Sequence, residues 1–495
     1  MNVLYKSTRG DGTAITASKA ILKGLADDGG LFVPTVIPKL ETPLEELSKM
    51  DYKGVAFVVM RAFLGDFTDE EIKSCIDKAY DEKFDTPLIA PLEKKDGVSF
   101  MELYHGATIA FKDMALSILP HLMTTAARKN HIENEIVILT ATSGDTGKAA
   151  LAGFAGVPGT KIIVFYPKGG VSRIQELQMV TQKGDNTFVC GVKGNFDDCQ
   201  TGVKKMFGDP VLREKLKEKG YQFSSANSIN VGRLVPQVAY YVWAYSRLVA
   251  NGEIKAGEEI NFVVPTGNFG NILAGYYAKL MGLPVNRLIC ASNENKVLYD
   301  FFETGVYNKN REFILTSSPS MDILISSNLE RLIYRIVGES EEETEKLMRD
   351  LSEKGVYEIP EESKDKLKDF WGGFATEEEN FAGIKALYEA TGYVLDPHTG
   401  VAYSVYRKYK ENTKDGHPAV IVSTASPYKF ARAVLGAIDE KYLSEDDFKL
   451  MEELEKVSGR PIPRAIKDIM NADIRHDSVC TIDDMEQEVK GFLAV

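Results

Sequence analysis

EIVILTATSGDTGKAALAGF, residues 135 to 154, is the stretch whose reading decides the fold. After Glu135 the next seven residues are apolar, β-branched or small, as in a strand covered on both faces. The run breaks at Ser143-Gly144, and an alanine-rich stretch with helical spacing follows. Strand, sharp turn and helix in that order make a parallel βα unit. The pattern recurs outward from there. KIIVFY (161 to 166), NTFVCGV (186 to 192), INFVVPT (260 to 266) and RLICA (287 to 291) read as strands, and 174 to 183, 197 to 207, 233 to 250 and 271 to 281 read as helices. A last unit comes late, where AVIVSTA (419 to 425) leads into a helix expected to start near Pro427, since proline suits a helix's first turn.

The sheet material is therefore split along the chain, and 495 residues exceed what one core usually holds. Residues 1 to 95 read as a mostly helical domain with a turn-rich GLADDGGLFVP segment. Residues 96 to 225 read as a smaller α/β domain, and 226 to 495 as a larger one. Within the latter, 340 to 390 is rich in charge, as in ESEEETEKLMRDLSEK, and reads as a solvated helical insertion.

Composition sets the class. Hydrophobic residues at 44% and charged residues at 26% are those of a soluble globular chain. The net charge of −13, with no basic stripe, argues against nucleic acid as a partner. Five scattered cysteines without a CxxC pair argue against a disulfide framework and a zinc site, so no metal is expected and a reducing cytoplasm is. No basic leader followed by an apolar stretch and no apolar run of membrane length is read, so no membrane is expected either.

Three segments could carry chemistry. The first is the turn Ser143-Gly144-Asp145-Thr146-Gly147-Lys148, where free N–H groups at a helix start favour an anion. It is not a nucleotide P-loop, which would need glycine at 142 and a hydroxyl at 149, where Thr142 and Ala149 stand. A tight turn with Asp145 as helix cap explains it equally well. The second is Pro265-Thr266-Gly267-Asn268-Phe269-Gly270-Asn271, again between strand and helix, where two glycines let the backbone approach a phosphate. It lacks the GxGxxG of a dinucleotide site. Either loop alone could be a mere turn, but two of them at strand ends suggest a shared crevice. The third is HGATIAFKDMALSIL (105 to 119), in which Lys112 lies among small and apolar residues. Most lysines are solvated, yet a partly desolvated amine is better able to form an imine.

These motifs fall into place together. GLADDGGLFVP, HGATIAFKD, ATSGDTG, FYPKGGVSRIQELQM, NFDDCQ, SANSINVGRLVPQ, PTGNFGN, DPHTGVAY and STASPYKF, in this order, resemble the threonine synthases of the long bacterial and fungal subgroup from end to end. The resemblance implies a fold-type II pyridoxal-phosphate enzyme, α/β and tryptophan-synthase-β-like, with two open domains, a cofactor cleft between them and an extra N-terminal helical domain. It implies Lys112 as the Schiff-base lysine and general base, and Gly267, Asn268, Phe269, Gly270 and Asn271 as the cofactor's phosphate cup. It implies Ser143, Gly144, Asp145, Thr146 and Gly147 as the substrate-carboxylate loop beside the ring, and Thr424 as the hydroxyl facing the pyridine nitrogen. After Thr424-Ala425 many relatives have histidine where this chain has Ser426. Arg233, Lys168, Arg173 and His398 are the further substrate candidates, Arg233 as a donor to the substrate's phosphate with a structural ion pair as its alternative. The implied reaction turns O-phospho-L-homoserine and water into L-threonine and phosphate in a monomer or homodimer. A dehydratase on the same scaffold, or a noncatalytic phosphometabolite-binding protein, is the competing reading.

Overall fold

The computed structural model describes residues 2–10, 12–142 and 144–495. The apolar runs form strands at Glu135–Ala141, Thr160–Pro167, Thr187–Val192, Ile260–Pro265, Val285–Ser292 and Ala419–Ser423. They divide between two sheets. One sheet has the strand order Val479–Cys480, Thr187–Val192, Thr160–Pro167, Glu135–Ala141, Tyr221–Ser224, all parallel. The other runs Phe370–Phe374, Val285–Ser292, Ile260–Pro265, Ala419–Ser423, Val98–Glu102, Leu92–Lys95, parallel except for the last, antiparallel pair.

Sheet membership does not follow the divisions drawn at 96 and 226. Val98–Glu102 belongs to the larger sheet, and the C-terminal Val479–Cys480 crosses back to edge the smaller one. The stretch from 340 to 390 also differs from an all-helical insertion. Glu341–Glu353 and Glu377–Thr391 are helices, but Phe370–Phe374 between them is an edge strand of the larger sheet. FWGGF is short, and its two glycines erase the alternation by which a strand is read. At Pro427 the chain first forms a 3₁₀ turn, Pro427–Phe430, and the α-helix begins at Ala431.

A helix of 20 residues, Val231–Ala250, is the central pillar. It is apolar nearly all round and buried accordingly, as a helix enclosed by other elements must be. The N-terminal helix Tyr52–Phe63 packs along it. Trp243 fills the space beside it, with its indole N–H donating to the Ala90 carbonyl at 2.7 Å. N-terminal region and sheets thus share one core. Among the described residues no helix is long and apolar enough to cross a membrane.

Candidate active site

Ligands of open α/β sheets bind beyond the strands' C-terminal ends, where the chain departs to opposite sides. In the larger sheet Ile260–Pro265 and Ala419–Ser423 are direct neighbours, so the Thr266–Asn271 loop and Thr424 open on the same edge. Glu135–Ala141 has its sequence neighbour Thr160–Pro167 on one side and Tyr221–Ser224 on the other, which makes the turn after it the corresponding point of the smaller sheet.

Lys112 is carried between the two. After Val98–Glu102 the chain runs against the 424 to 426 segment, where the Phe111 N–H donates to the Thr424 carbonyl at 2.8 Å and the Ser426 N–H to the Ile109 carbonyl at 3.1 Å. Ile109 holds a left-handed φ of 52°, costly for a β-branched residue and of the kind found where surroundings over-determine the backbone. Lys112 follows, 8% exposed, at the start of the short helix Asp113–Leu116.

The Lys112 amine donates to Ser320 Oγ at 3.0 Å and lies 3.6 Å from Asp145 Oδ2. Ser320 Oγ in turn donates to Asp145 Oδ2 at 3.2 Å. Asp145 is therefore no helix cap. It is the first residue of the helix Asp145–Phe154, whose N-cap Gly144 makes no side-chain cap bond, and its carboxylate faces the cleft. Lys429 lies 2.9 Å from Asp145 Oδ1 and Lys148 3.5 Å from the same oxygen, so three ammonium groups surround one carboxylate. Burial alone would raise the Asp145 carboxyl, but Lys429, Lys112 and Lys148 hold it well below the usual range. Burial brings the Lys112 amine down to about 8; Asp145 opposes this, and the charges of Lys429 and Arg233 add to it. Ser143, the first residue of the expected carboxylate loop, lies outside the described residues; Gly147 packs its backbone against Thr142, whose hydroxyl accepts the Gly144 and Gly147 N–H groups at 3.0 and 3.1 Å.

The loop from Gly267 to Asn271 enters the helix Gly270–Met281 through Phe269, which takes a left-handed φ of 65° and buries its ring against Phe302 and Phe370. Around the loop lie buried donors with nothing to bond. Asn271 Oδ1 accepts from the hydroxyls of Tyr240 and Tyr241, each at 2.7 Å, leaving its Nδ2 without a partner among the described residues. Asn328 Oδ1 is taken by Arg331, and its Nδ2 is likewise unpaired. A β-carbon on Gly270 would come within 3.3 Å of that Nδ2, which places Asn328 at the loop. Arg233, 4% exposed, donates from its Nη1 to the Ala226 carbonyl at 3.0 Å and has neither a partner for Nε nor a carboxylate among the described residues. An ion pair is thus not what holds Arg233, and burial lowers its guanidinium to about 10. Unpaired buried donors are costly, and donors alone, with no acceptors, are what a phosphate requires. Asn271 and Asn328 beside the glycine-bearing loop fit the phosphate of pyridoxal phosphate, with Lys112 available for its aldehyde and Arg233 left over.

His398 is 2% exposed. Its Nδ1 lies 2.7 Å from Asp396 Oδ2, and its Nε2 accepts the Ser320 N–H at 3.2 Å, which assigns the ring proton to Nδ1. It therefore holds the segment that reaches Lys112. Thr424 is 5% exposed and engaged through its carbonyl, and Ser426 accepts the Tyr428 N–H as the cap of the 3₁₀ turn. Lys168 and Arg173 are not drawn in; both are about half exposed and pair with Glu176, at 2.5 and 3.4 Å. Sequence reading gives Ser320, Asn328 and Lys429 no role, and it includes Lys148 in the turn after residue 142 without giving it one either. The only signal for the first two is the serine-rich stretch SSPSMDILISSN (317 to 328), which has neither strand nor helix periodicity.

Two largely parallel sheets facing each other across a buried lysine, a glycine-bearing loop with unpaired donors and the turn that carries Asp145 are the arrangement of a fold-type II pyridoxal-phosphate enzyme. Three family models match in sequence: "Threonine synthase N terminus" over residues 4–80, "Pyridoxal-phosphate dependent enzyme" over 80–361 and "Threonine synthase, C-terminal" over 399–479. The chain belongs to the threonine synthase family. It is 38% identical to a threonine synthase of Schizosaccharomyces pombe, over 87% of this chain and 88% of that one. It is 39% identical to threonine synthase-like 1 of Homo sapiens, over 86% of this chain and 58% of that one. The crystal structure of the pyridoxal-phosphate-bound threonine synthase of Brucella melitensis superposes with a TM-score of 0.87 at 34% identity, covering 100% of both chains.

Proposed function

We propose that the protein converts O-phospho-L-homoserine and water into L-threonine and phosphate, the last step of threonine biosynthesis, with pyridoxal phosphate held at Lys112. The observation that carries this reading is Arg233, a buried guanidinium with no carboxylate partner among the described residues, at the cleft that also holds Lys112. A dehydratase would need one phosphate site, for the cofactor; a substrate with its own phosphate needs a second.

When bound, the cofactor supplies an electron sink for the carbon next to the substrate's amine. The chain's own residues do the rest. Lys112, with its amine brought down to about 8, can hold and release a proton near neutral pH as a general base must. Ser320 and Asp145 orient that amine. Gly267 to Asn271, with Asn328 beside them, would hold the cofactor phosphate, and Gly144 to Gly147 the substrate carboxylate. Arg233 would stabilise the charge that builds on the leaving phosphate. His398, by fixing the Ser320 backbone, keeps the segment over Lys112 in place and water out. We place the protein in the cytoplasm as a monomer or homodimer; its cysteines are all free, as a reducing compartment would keep them.

The test is to incubate purified protein with pyridoxal phosphate and O-phosphohomoserine and to assay phosphate and threonine together. Equal release of both, dependent on the cofactor, is expected. Phosphate release with 2-oxobutyrate in place of threonine would assign a dehydratase-like outcome instead.

A further inference from the structure

Lys148, like Lys429, is a cleft lysine for which the reaction above has no use, and of the two it is the one without a hydrogen-bond partner among the described residues. It stands in the first turn of the helix Asp145–Phe154, from where a helical side chain points back toward the N-terminus and hence into the Gly144 to Gly147 turn. It is 1% exposed, and its amine has no hydrogen-bond partner among the described residues. The single carboxylate near it, Asp145 Oδ1 at 3.5 Å, is more closely held by Lys429 at 2.9 Å, and Lys429 has a second acceptor in the Thr108 carbonyl at 3.1 Å. The other acids on neighbouring elements are taken. Asp113 accepts from Thr108, and Glu176 from Lys168 and Arg173. A buried amine with no hydrogen-bond acceptor among the described residues is expensive, and burial together with Lys429 pushes its proton affinity well down although Asp145 opposes this.

A bound anion would repair the deficit. The Gly144 and Gly147 N–H groups are taken by the Thr142 hydroxyl, but the turn is still a helix start with its positive end toward the cleft, and an amino-acid carboxylate lying there would meet the Lys148 amine from the inner side. We propose that Lys148 is a ligand of the substrate's α-carboxylate, and so a specificity residue that selects α-amino acids over simple amines at this turn. The inference rests on the carboxylate-loop reading of the turn given above. It makes Lys148 a residue whose presence weakens the empty enzyme and strengthens the complex.

The holoenzyme with Lys148→Met tests this, methionine keeping length and shape without the charge. The KM for O-phosphohomoserine should rise roughly 10- to 100-fold, as for loss of one charged hydrogen bond, with kcat within about threefold. Two inhibitors separate the carboxylate from the rest of the ligand: the non-hydrolysable phosphonate 2-amino-5-phosphonopentanoate, which carries the carboxylate, and 3-aminopropyl phosphate, which lacks it. Lys148→Met should weaken the first by the same factor as KM and leave the second unchanged. Thermal unfolding of the variant should occur at the same temperature or higher, whereas a structural lysine would lower it. Equal weakening of both inhibitors, or of neither, overturns the inference. Thr146→Ala in the same turn tells which idea has failed. If Thr146→Ala loses the discrimination between the inhibitors and Lys148→Met keeps it, only the role of Lys148 falls; if neither variant changes it, the carboxylate reading of the turn falls as well.

Discussion

Lys112 and Arg233, in the roles proposed for them, illustrate two ways in which a single residue becomes functional. Lys112 is activated by surroundings that depress its amine while offering it a serine and a carboxylate. Lys112→Ala should abolish threonine formation with the fold intact, and added cofactor should not restore it, because the covalent anchor and the base are lost together. Retention of the far-ultraviolet circular dichroism spectrum with no detectable product is the expected result; substantial turnover by a folded variant would refute the role. Arg233 is defined by what it lacks. Its sequence context left a structural ion pair as a fair alternative, and only the structure removes that, since no acid faces it among the described residues. Arg233→Lys should lower turnover roughly 10²-fold, the loss of one strong transition-state donor, while cofactor affinity measured by titration stays unchanged. A parallel loss of cofactor would move Arg233 to the cofactor's phosphate.

At the scale of elements, the strand-turn-helix units around 135 and 260 were legible because buried parallel strands are continuous apolar runs that end in glycine-bearing turns. Phe370–Phe374 was not legible, since it is five residues with two glycines, and neither was the segment around Ser320, whose position comes from long-range contacts that no local pattern encodes. That segment changes the account of Gly267. A β-carbon there would stand 2.4 Å from the Ser320 carbonyl oxygen, so glycine is required by the chain that packs on the loop as well as by any phosphate beneath it. Gly270 is less confined, its nearest neighbour being the end of the Asn328 side chain at 3.3 Å. Gly267→Ala should therefore weaken pyridoxal-phosphate binding by roughly 10-fold or more, with turnover lost further because Ser320 is displaced from Lys112, and Gly270→Ala should do less. Cofactor titration and steady-state assays on the two variants check the order; a larger effect at Gly270 would return the constraint to the phosphate alone.

The whole molecule is held together by polar contacts as well as by its core, and the contact set around Glu102 joins parts of the chain that the sequence keeps far apart. Glu102 ends a strand of the larger sheet, 1% exposed, and accepts from Tyr393 at 2.6 Å, from Arg460 at 2.7 Å and from His105 at 2.9 Å, while His105 reaches Asp85 with its other nitrogen at 2.6 Å. The N-terminal region, the sheet and the C-terminal segment all meet there. Burial alone would lower the His105 imidazole, but Asp85 and Glu102 outweigh it and raise the group from 6.5 to about 9. Burial alone would raise the Glu102 carboxyl, yet His105, Arg460 and Tyr393 bring it from 4.5 to about 2. The signs then fix the pH window. A raised histidine contributes stability that is fully present below 6.5 and fades as the pH climbs through about 9; a lowered carboxylate contributes above 4.5 and fades as the pH falls toward about 2. The histidine's shift corresponds to about 3 kcal/mol at most, and because Glu102 shares the contact the two shifts describe one interaction and are not added. Unfolding free energy measured from pH 6 to 10 should thus fall by up to that amount as His105 loses its proton. In His105→Gln the level at pH 6 should be lower and this component of the decline absent, so that the two curves converge near the alkaline end. Parallel curves for the two proteins would mean that His105 does not carry this charge in the folded state.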